Sequence, residues 1–410
     1  MSRRVAVTGI GMITALAAGR EANWAAMRAG RSGIRAITRF DTEGMRTRIA
    51  GCVDFAEDAP GRPLSVAARC ERMGEAVIAE ALAQAGLEAP FAGPLCIGLP
   101  PVETEWPARL APLPRAATRD YRGLIAAAEG AERATYEEFL FGGTAQRLAR
   151  RFGTRGAPQA VTTACASGGS AIQLALEAIR RGECDRAIAA GSEASLQPET
   201  LIRFSLLQAL STRNDPPEAA SRPFTLSRDG FVMADGAAAL ILESEAAARA
   251  RGAAILGWVL GAGERADTFH RTRSSPDGAA ITGAMTRAIA DAGLTPADIG
   301  YVNAHGTSTP ENDKMEALAM HGVFGEAPPP ISSTKSMIGH TLSAAGAIEA
   351  AVCLLALRDQ VLPPTINQDD VDPELGLDTV PRARPHAFRA ALSNSFGFGG
   401  QNVCVALGAA

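Results

Sequence analysis

Lysine is nearly missing from this 410-residue chain. Of 40 basic residues, only Lys314 and Lys335 are lysines; the rest are arginines. Where arginine serves everywhere else, a retained ammonium points to a packed polar site that a planar guanidinium does not fit. Long apolar runs are missing too. None approaches the roughly 20 residues needed to span a bilayer. The start, MSRRVAVTGIGMITALAAG, pairs two arginines with an apolar run, as a secretion signal does, but Gly9 and Gly11 interrupt it. It reads better as a buried strand, Val5 to Thr8, followed by a glycine turn. Excess positive charge is absent: the net charge of −4 argues against a nucleic-acid partner. The cysteines lack a pattern. Seven of them, odd in number and irregularly spaced, fit a reducing cytoplasm rather than a disulfide framework or a zinc site.

What is present is a soluble globular balance, with 47% hydrophobic and 20% charged residues. The length exceeds one ordinary core, so two packed units are expected, residues 1–250 and 251–410. Strand-like runs alternate with helical ones. In the first half, Leu95–Leu99, Ala160–Ala164, Arg186–Ser192 and Gly236–Glu243 read as strands, and Ser65–Ala85 as a long helix ended by Gly86. In the second half, Ala254–Leu260, Ile299–Asn303, Ile331–Thr334, Phe388–Ser393 and Val403–Leu407 read as strands. Pro276–Ala292 and Thr341–Asp359 read as helices. This implies an α/β protein with helices on the faces of a sheet. Each half carries a polar loop after a strand, which suggests a duplicated unit without a residue-level repeat. The stretch from Pro100 to Phe141 is irregular, proline-rich at first and helical in part from Gly130 to Phe139.

Four loops carry chemistry. In VTTACASGGS, Val161 to Ser170, a strand ends and a cysteine precedes a helix of small residues. Cys165 at a helix N-terminus is either a thiolate favoured by free N–H groups or a small buried hydrophobe. In YVNAHGTSTP, His305 is followed by Gly306 and the hydroxyls of Thr307, Ser308 and Thr309. In SSTKSMIGHTLSAAG, Lys335 and His340 sit five apart, before small residues that permit close helix packing. In NSFGFGGQN, Gly397, Gly399 and Gly400 allow positive φ and exposed N–H groups, with Phe398 as a bulky swinging neighbour.

TACASG, NAHGTSTP, SSTKSMIGH, AAGAIE and NSFGFGGQN, in this order, resemble the β-ketoacyl-acyl carrier protein synthases, most nearly the elongating type II enzymes. ALSTRND, ASRPF and RDGFVMADGAA, between Ala209 and Ala238, add to the likeness, which runs from Val5 to about Leu407 with a gap at Pro100 to Phe141. The resemblance implies a thiolase-like duplicated α/β fold, layered α-β-α-β-α with two mixed five-stranded sheets. It implies Cys165 as the acyl-accepting nucleophile, and His305 and His340 as binders of the malonyl thioester and its enolate. Lys335 is then a supporting cation paired with Glu349. The N–H groups of Cys165 and Phe398 form an oxyanion hole, Gly397, Phe398 and Gly399 form an acyl gate, and Thr307 and Thr309 bind the phosphopantetheine arm. Asp313 and Glu316 are supporting residues.

No metal and no cofactor beyond carrier-borne substrates is implied. The expected partners are acyl carrier protein and a second copy of the chain, with no nucleic acid and no membrane, in the cytoplasm. Two departures stand out. Leu99-Pro100-Pro101 followed by Trp106 replaces a glycine-rich loop that helps wall the acyl pocket. Gln208 replaces a basic carrier-docking residue, leaving Arg69, Arg72 and Arg203 as substitutes. The expected reaction is decarboxylative condensation in fatty acid elongation. The alternatives are a synthase for a very long or polyketide-type chain, and a non-catalytic chain-length factor, which would normally lack the cysteine.

Overall fold

The computed structural model describes residues 3–58, 64–103, 105–106, 109, 113–129 and 133–410. Ten strands follow one another across one mixed sheet. The first five in spatial order are Gln159–Val161, Leu95–Gly98, Arg186–Glu193, Gly236–Ser244 and Val5–Thr14. The next five are Gly257–Ala266, Gln401–Gly408, Ala390–Phe396, Ile299–Asn303 and Ile331–Ser332. Among the described residues, the two sets of five pair only where Val5–Val7 runs antiparallel to Gly257–Val259. The expected five-stranded sheets are therefore two wings sharing one three-residue seam.

Away from the edge strand Gln159–Val161 and the exposed end of Gly257–Ala266 the strands are buried on both faces, and their alternation sorts side chains into layers. In Gly236–Ser244, Ala238, Leu240 and Leu242 face a central core, while Ala237, Ala239 and Ile241 face an outer one. The outer face of the first wing is covered by the helices Val66–Ala85 and Gly143–Phe152. That of the second wing is covered by Ala279–Asp291 and Pro310–Phe324. Between the wings lie Ser167–Arg180 and Ala345–Asp359. The second of these is buried all round from Ala345 to Leu357, as its nearly unbroken apolar sequence requires. Glycines bring the two central helices together: a Cβ on Gly346 would lie 2.4 Å from the Gly169 nitrogen, and one on Gly168 would lie 2.6 Å from the Ala347 nitrogen.

The N-terminal segment differs from the sequence expectation. The strand does not stop at Thr8; it runs to Thr14. Gly9 and Gly11 make no turn. Their missing side chains admit the helix Val66–Ala85, since a Cβ would come within 2.0 Å of the Ala81 oxygen and 1.9 Å of the Val77 oxygen. That helix starts where the sequence suggests, with Ser65 accepting the Ala68 N–H, and it ends on Gly86 in the left-handed region at φ 64°. Among the described residues of the irregular stretch, Tyr121–Ala128 and Arg133–Glu138 are α-helical. The first, capped by Asp120, was not anticipated; residues 130–132 of the expected helix lie outside the described residues.

Candidate active site

Cys165 sits where the sequence places it, between a strand and the helix Ser167–Arg180, with Ala164 turned to φ 49°. Ser167 holds the bend: its hydroxyl accepts the Thr163 N–H at 2.9 Å and donates to the Ala164 carbonyl at 2.6 Å. The thiol is only 8% exposed. Burial pushes it up to about 11, against the pull of the Lys335 ammonium and the Phe398 N–H. The helix start alone therefore does not make a resting thiolate; desolvation outweighs it.

Two imidazoles face the sulfur. His340 Nε2 lies 3.2 Å from Cys165 Sγ. Its Nδ1 accepts the Leu342 N–H at 3.3 Å, so the proton of the neutral ring is on Nε2. His305 meets His340 edge to face, with ring centroids 5.2 Å apart, and one ligand atom from each of Cys165, His305 and His340 falls within 4.8 Å of the others. Both rings are buried. Desolvation first, then Lys335, holds them well below the usual histidine range, so both are neutral at pH 7. Phe231 packs against His340 and Phe396 against His305.

The backbone of His305 is fixed from below. Glu316 accepts the His305 N–H at 2.8 Å and the Gly306 N–H at 2.7 Å, and Asn394 Nδ2 donates to the same carboxyl at 3.0 Å. Asp313 accepts the Phe224 N–H at 2.9 Å and the Ser308 N–H at 3.2 Å. Both acids lie on Pro310–Phe324, a helix the sequence reading did not place. Burial raises Glu316 to about 6. Behind the histidines, Lys335 Nζ pairs with the Glu349 carboxylate, both 1% exposed. Burial pushes Glu349 up and the ammonium opposes it.

The glycine loop closes the site. The Phe398 N–H points at the Cys165 sulfur, and a Cβ on Gly397 would lie 2.7 Å from the Thr163 oxygen. Gly399 and Gly400 adopt φ 91° and 87°, which turn the chain back into the strand Gln401–Gly408. Above the sulfur opens a cavity of about 910 Å³. Thr307 and Thr309 line its mouth with their hydroxyls 2.9 Å apart. Pro100, Pro101 and Glu103, from the irregular stretch, form part of its wall. Trp106 is 59% exposed and is not among the lining residues.

Sequence reasoning missed Glu193, which lines the cavity next to Cys165 and accepts the Ser195 N–H at 2.7 Å and the Ser343 N–H at 3.1 Å. Its signal was an acid closing an apolar strand. The three arginines named for carrier docking are all engaged. Arg69 is 1% exposed and pairs with Asp58, Arg72 pairs with Glu57, and Arg203 pairs with Glu103 and Glu199.

Two sheet wings around paired central helices, with Cys165, His305 and His340 at their centre, define a thiolase-like enzyme built on a cysteine. Comparison with known proteins narrows the class. The profile of the beta-ketoacyl synthase N-terminal domain matches residues 2–248, and that of the C-terminal domain matches 256–369. A putative polyketide beta-ketoacyl synthase 1 of Streptomyces cyaneus is 38% identical, over 99% of this chain and 98% of its own. The 3-oxoacyl-[acyl-carrier-protein] synthase 2 of Vibrio cholerae is also 38% identical, over 98% and 97%. A type II polyketide ketosynthase, solved with its acyl-carrier protein and a hexaketide, superposes with a TM-score of 0.86 at 31% identity, covering both chains fully. The chain belongs to the beta-ketoacyl synthase family.

Proposed function

We propose that this protein joins an acyl group held on Cys165 to a malonyl unit held on acyl carrier protein, with loss of carbon dioxide, to give a 3-oxoacyl carrier. The observation that carries this reading is the His340 Nε2 proton aimed at the Cys165 sulfur from 3.2 Å. In the first half-reaction the Cys165 sulfur displaces the carrier thiol from the acyl thioester, and the thiol proton leaves with it. The Cys165 and Phe398 N–H groups face the oxygen that becomes negative. In the second, malonyl carrier loses carbon dioxide. The enolate oxygen is met by the neutral His305 and His340, which stabilise it without a competing positive charge of their own. The carbanion carbon attacks the acyl thioester, and the cysteine sulfur leaves as thiolate and regains a proton. Lys335 supplies a nearby field that favours each anion, and Glu349 holds it in place. Thr307 and Thr309 take the pantetheine arm, and Phe398, flanked by Gly397 and Gly399, gates the acyl cavity.

The same geometry favours a site without a metal. A histidine bound to a metal donates its other ring N–H to an acceptor, whereas the other nitrogen of His340 faces the Leu342 N–H. No redox step occurs in the reaction, so no cofactor is required. We read the chain as two thiolase-like units, residues 1–250 and 251–410, acting in the cytoplasm as a homodimer. Free thiols at all seven cysteines support a reducing compartment. No helix among the described residues is long and apolar enough to cross a membrane.

A specialised chain is the second reading, and the cavity wall favours it. Ser195, Gln197 and Thr200 place hydroxyl and amide groups along a pocket also lined by Phe204, Leu207 and Phe231. A saturated chain gains nothing from those polar groups, whereas an oxygenated one finds donors. The decisive assay incubates the protein with acyl and malonyl carriers and follows carbon dioxide and 3-oxoacyl product. Both are expected from the wild type, and Cys165→Ala loses the product. Absence of an acyl-enzyme with every primer, saturated or 3-oxo, overturns the reading.

A further inference from the structure

Five consecutive side chains at the mouth of the Cys165 cavity each carry a hydrogen-bond donor: His270, Arg271, Thr272, Arg273 and Ser274. Arg271 and Arg273 are exposed, and neither guanidinium has a hydrogen-bond or ionic partner among the described residues. Arg203, the other arginine of the lining, is shared between Glu103 and Glu199. The segment is also held in a fixed shape. Asp267 accepts the Phe269 N–H at 2.9 Å and the Ser275 N–H at 2.7 Å, and its own N–H donates to the Gly400 carbonyl at 2.7 Å. The Arg271 carbonyl accepts the Gly399 N–H at 2.7 Å, one residue from Phe398. His270 Nδ1 accepts the Thr272 N–H at 3.1 Å, which leaves the Nε2 proton free to donate.

A substrate on this site has two ends. Its thioester must reach a sulfur that is nearly buried, so its other end is left at the rim, beyond Thr307 and Thr309. For a pantetheine arm that other end is a phosphate. A phosphate wants charged forks and hydroxyls rather than one compact ammonium. Of the carboxylates that line the cavity, Asp267 is occupied by backbone N–H groups, Asp229 accepts the Thr212 N–H at 3.1 Å and Glu103 pairs with Arg203; Glu311 also lines it, and one such charge leaves the two guanidinium groups a net excess of positive charge. We propose that Arg271 and Arg273 are the phosphate-binding residues of this site, holding the phosphate of the pantetheine arm at the cavity mouth. This rests on the condensing reading above; the sequence offered Arg69, Arg72 and Arg203 for docking the carrier and no residue for this phosphate.

The test compares wild type with Arg271→Ala/Arg273→Ala on three malonyl thioesters: pantetheine without phosphate, phosphopantetheine, and the whole carrier. The double variant raises KM about tenfold or more for the two phosphate-bearing substrates. Its kcat stays within about twofold, and the pantetheine substrate is unaffected. Added salt raises the wild-type KM for phosphopantetheine and leaves the variant flat. Protection of Cys165 from alkylation gives the same comparison without turnover: phosphopantetheine protects the wild type at concentrations where pantetheine does not, and the variant loses that difference. An equal effect on pantetheine, an effect on the whole carrier alone, or no effect overturns the assignment. Failure of the wild type to turn over any of the three bears instead on the condensing reading, while the alkylation result still decides the phosphate site.

Discussion

His340 Nε2 stands 3.2 Å from Cys165 Sγ while His340 Nδ1 accepts the Leu342 N–H. A ring held this way gives a hydrogen bond to the sulfur and does not take the thiol proton. The role is then one of donation, and side chains that donate replace it in part. His340→Gln should keep a measurable rate of malonyl decarboxylation. His340→Phe, of similar bulk and with no donor, should lose about 10²- to 10³-fold, the usual effect of removing one such donor. Carbon dioxide release by both variants checks this; equal inactivity, with folding intact by circular dichroism, would show that donation is not what His340 supplies.

The neutral histidines also leave a mark on stability. In an unfolded chain a histidine titrates near 6.5, whereas His305 and His340 are held well below that by burial and Lys335. Below pH 6.5 the unfolded state therefore binds protons that the folded state refuses. Stability falls as the pH drops, by about 1.4 kcal/mol per pH unit for each ring, until the folded value is reached. His340→Phe removes one of the two. The buried carboxyls Glu316 and Glu349 are common to both proteins, so their contributions largely cancel in the comparison. The stability of the wild type relative to His340→Phe should be constant above about pH 7 and decline between pH 6.5 and 5. Denaturant midpoints at several pH values measure it, and a difference that grows on acidification contradicts the neutral assignment.

Lys335 and Glu349 are a buried pair, and the two halves of such a pair are not independent. Removing one partner leaves the other charge stranded, at a cost of about 3–5 kcal/mol. Lys335→Met and Glu349→Leu should each be strongly destabilised. The double variant Lys335→Met/Glu349→Leu should recover most of that loss, because an apolar pair suits a helix buried all round. It should not recover decarboxylation, since the cation beside the histidines is gone. Chemical denaturation with a carbon dioxide assay on the same three proteins separates the effects. A double variant as unstable as the sum of the two singles removes the pairing argument.

Much of this site was legible because its loops follow strands whose apolar runs are unmistakable. Ile299–Asn303 was placed to the residue, and His305 follows from it. The scarcity of lysine pointed to Lys335 before any geometry was known. What sequence could not supply was approach between distant segments. Gly9 and Gly11 looked like a turn because glycine is the usual turn residue. Here their role is set by a helix some 70 positions away, whose carbonyls occupy the space of the missing side chains. Pro310–Phe324 was missed for a related reason. Its buried positions include Asp313 and Glu316, whose carboxyls serve the His305 loop, so the apolar stripe that marks a helix is interrupted by function. Arg69, named as a docking residue on charge, turned out to be buried against Asp58.

Cys165, His305 and His340 bring three possible ligand atoms within 4.8 Å of one another, and one thiolate with two imidazoles is a set that zinc accepts. The hydrogen bond from the Leu342 N–H to His340 Nδ1 argues against occupancy. To free the Nε2 lone pair for a metal, the ring must carry its proton on Nδ1, where it would meet another N–H at 3.3 Å. One of the two donors would then be left buried without an acceptor, at about 1–3 kcal/mol. The thiol, pushed up to about 11, must also give up its proton. Condensing activity should therefore survive prolonged dialysis against a chelator with no loss of rate, and added zinc should inhibit by blocking the sulfur. Equilibrium dialysis with metal analysis, run beside the activity assay, decides the point: a stoichiometric ion whose removal abolishes turnover would make this a metal site after all.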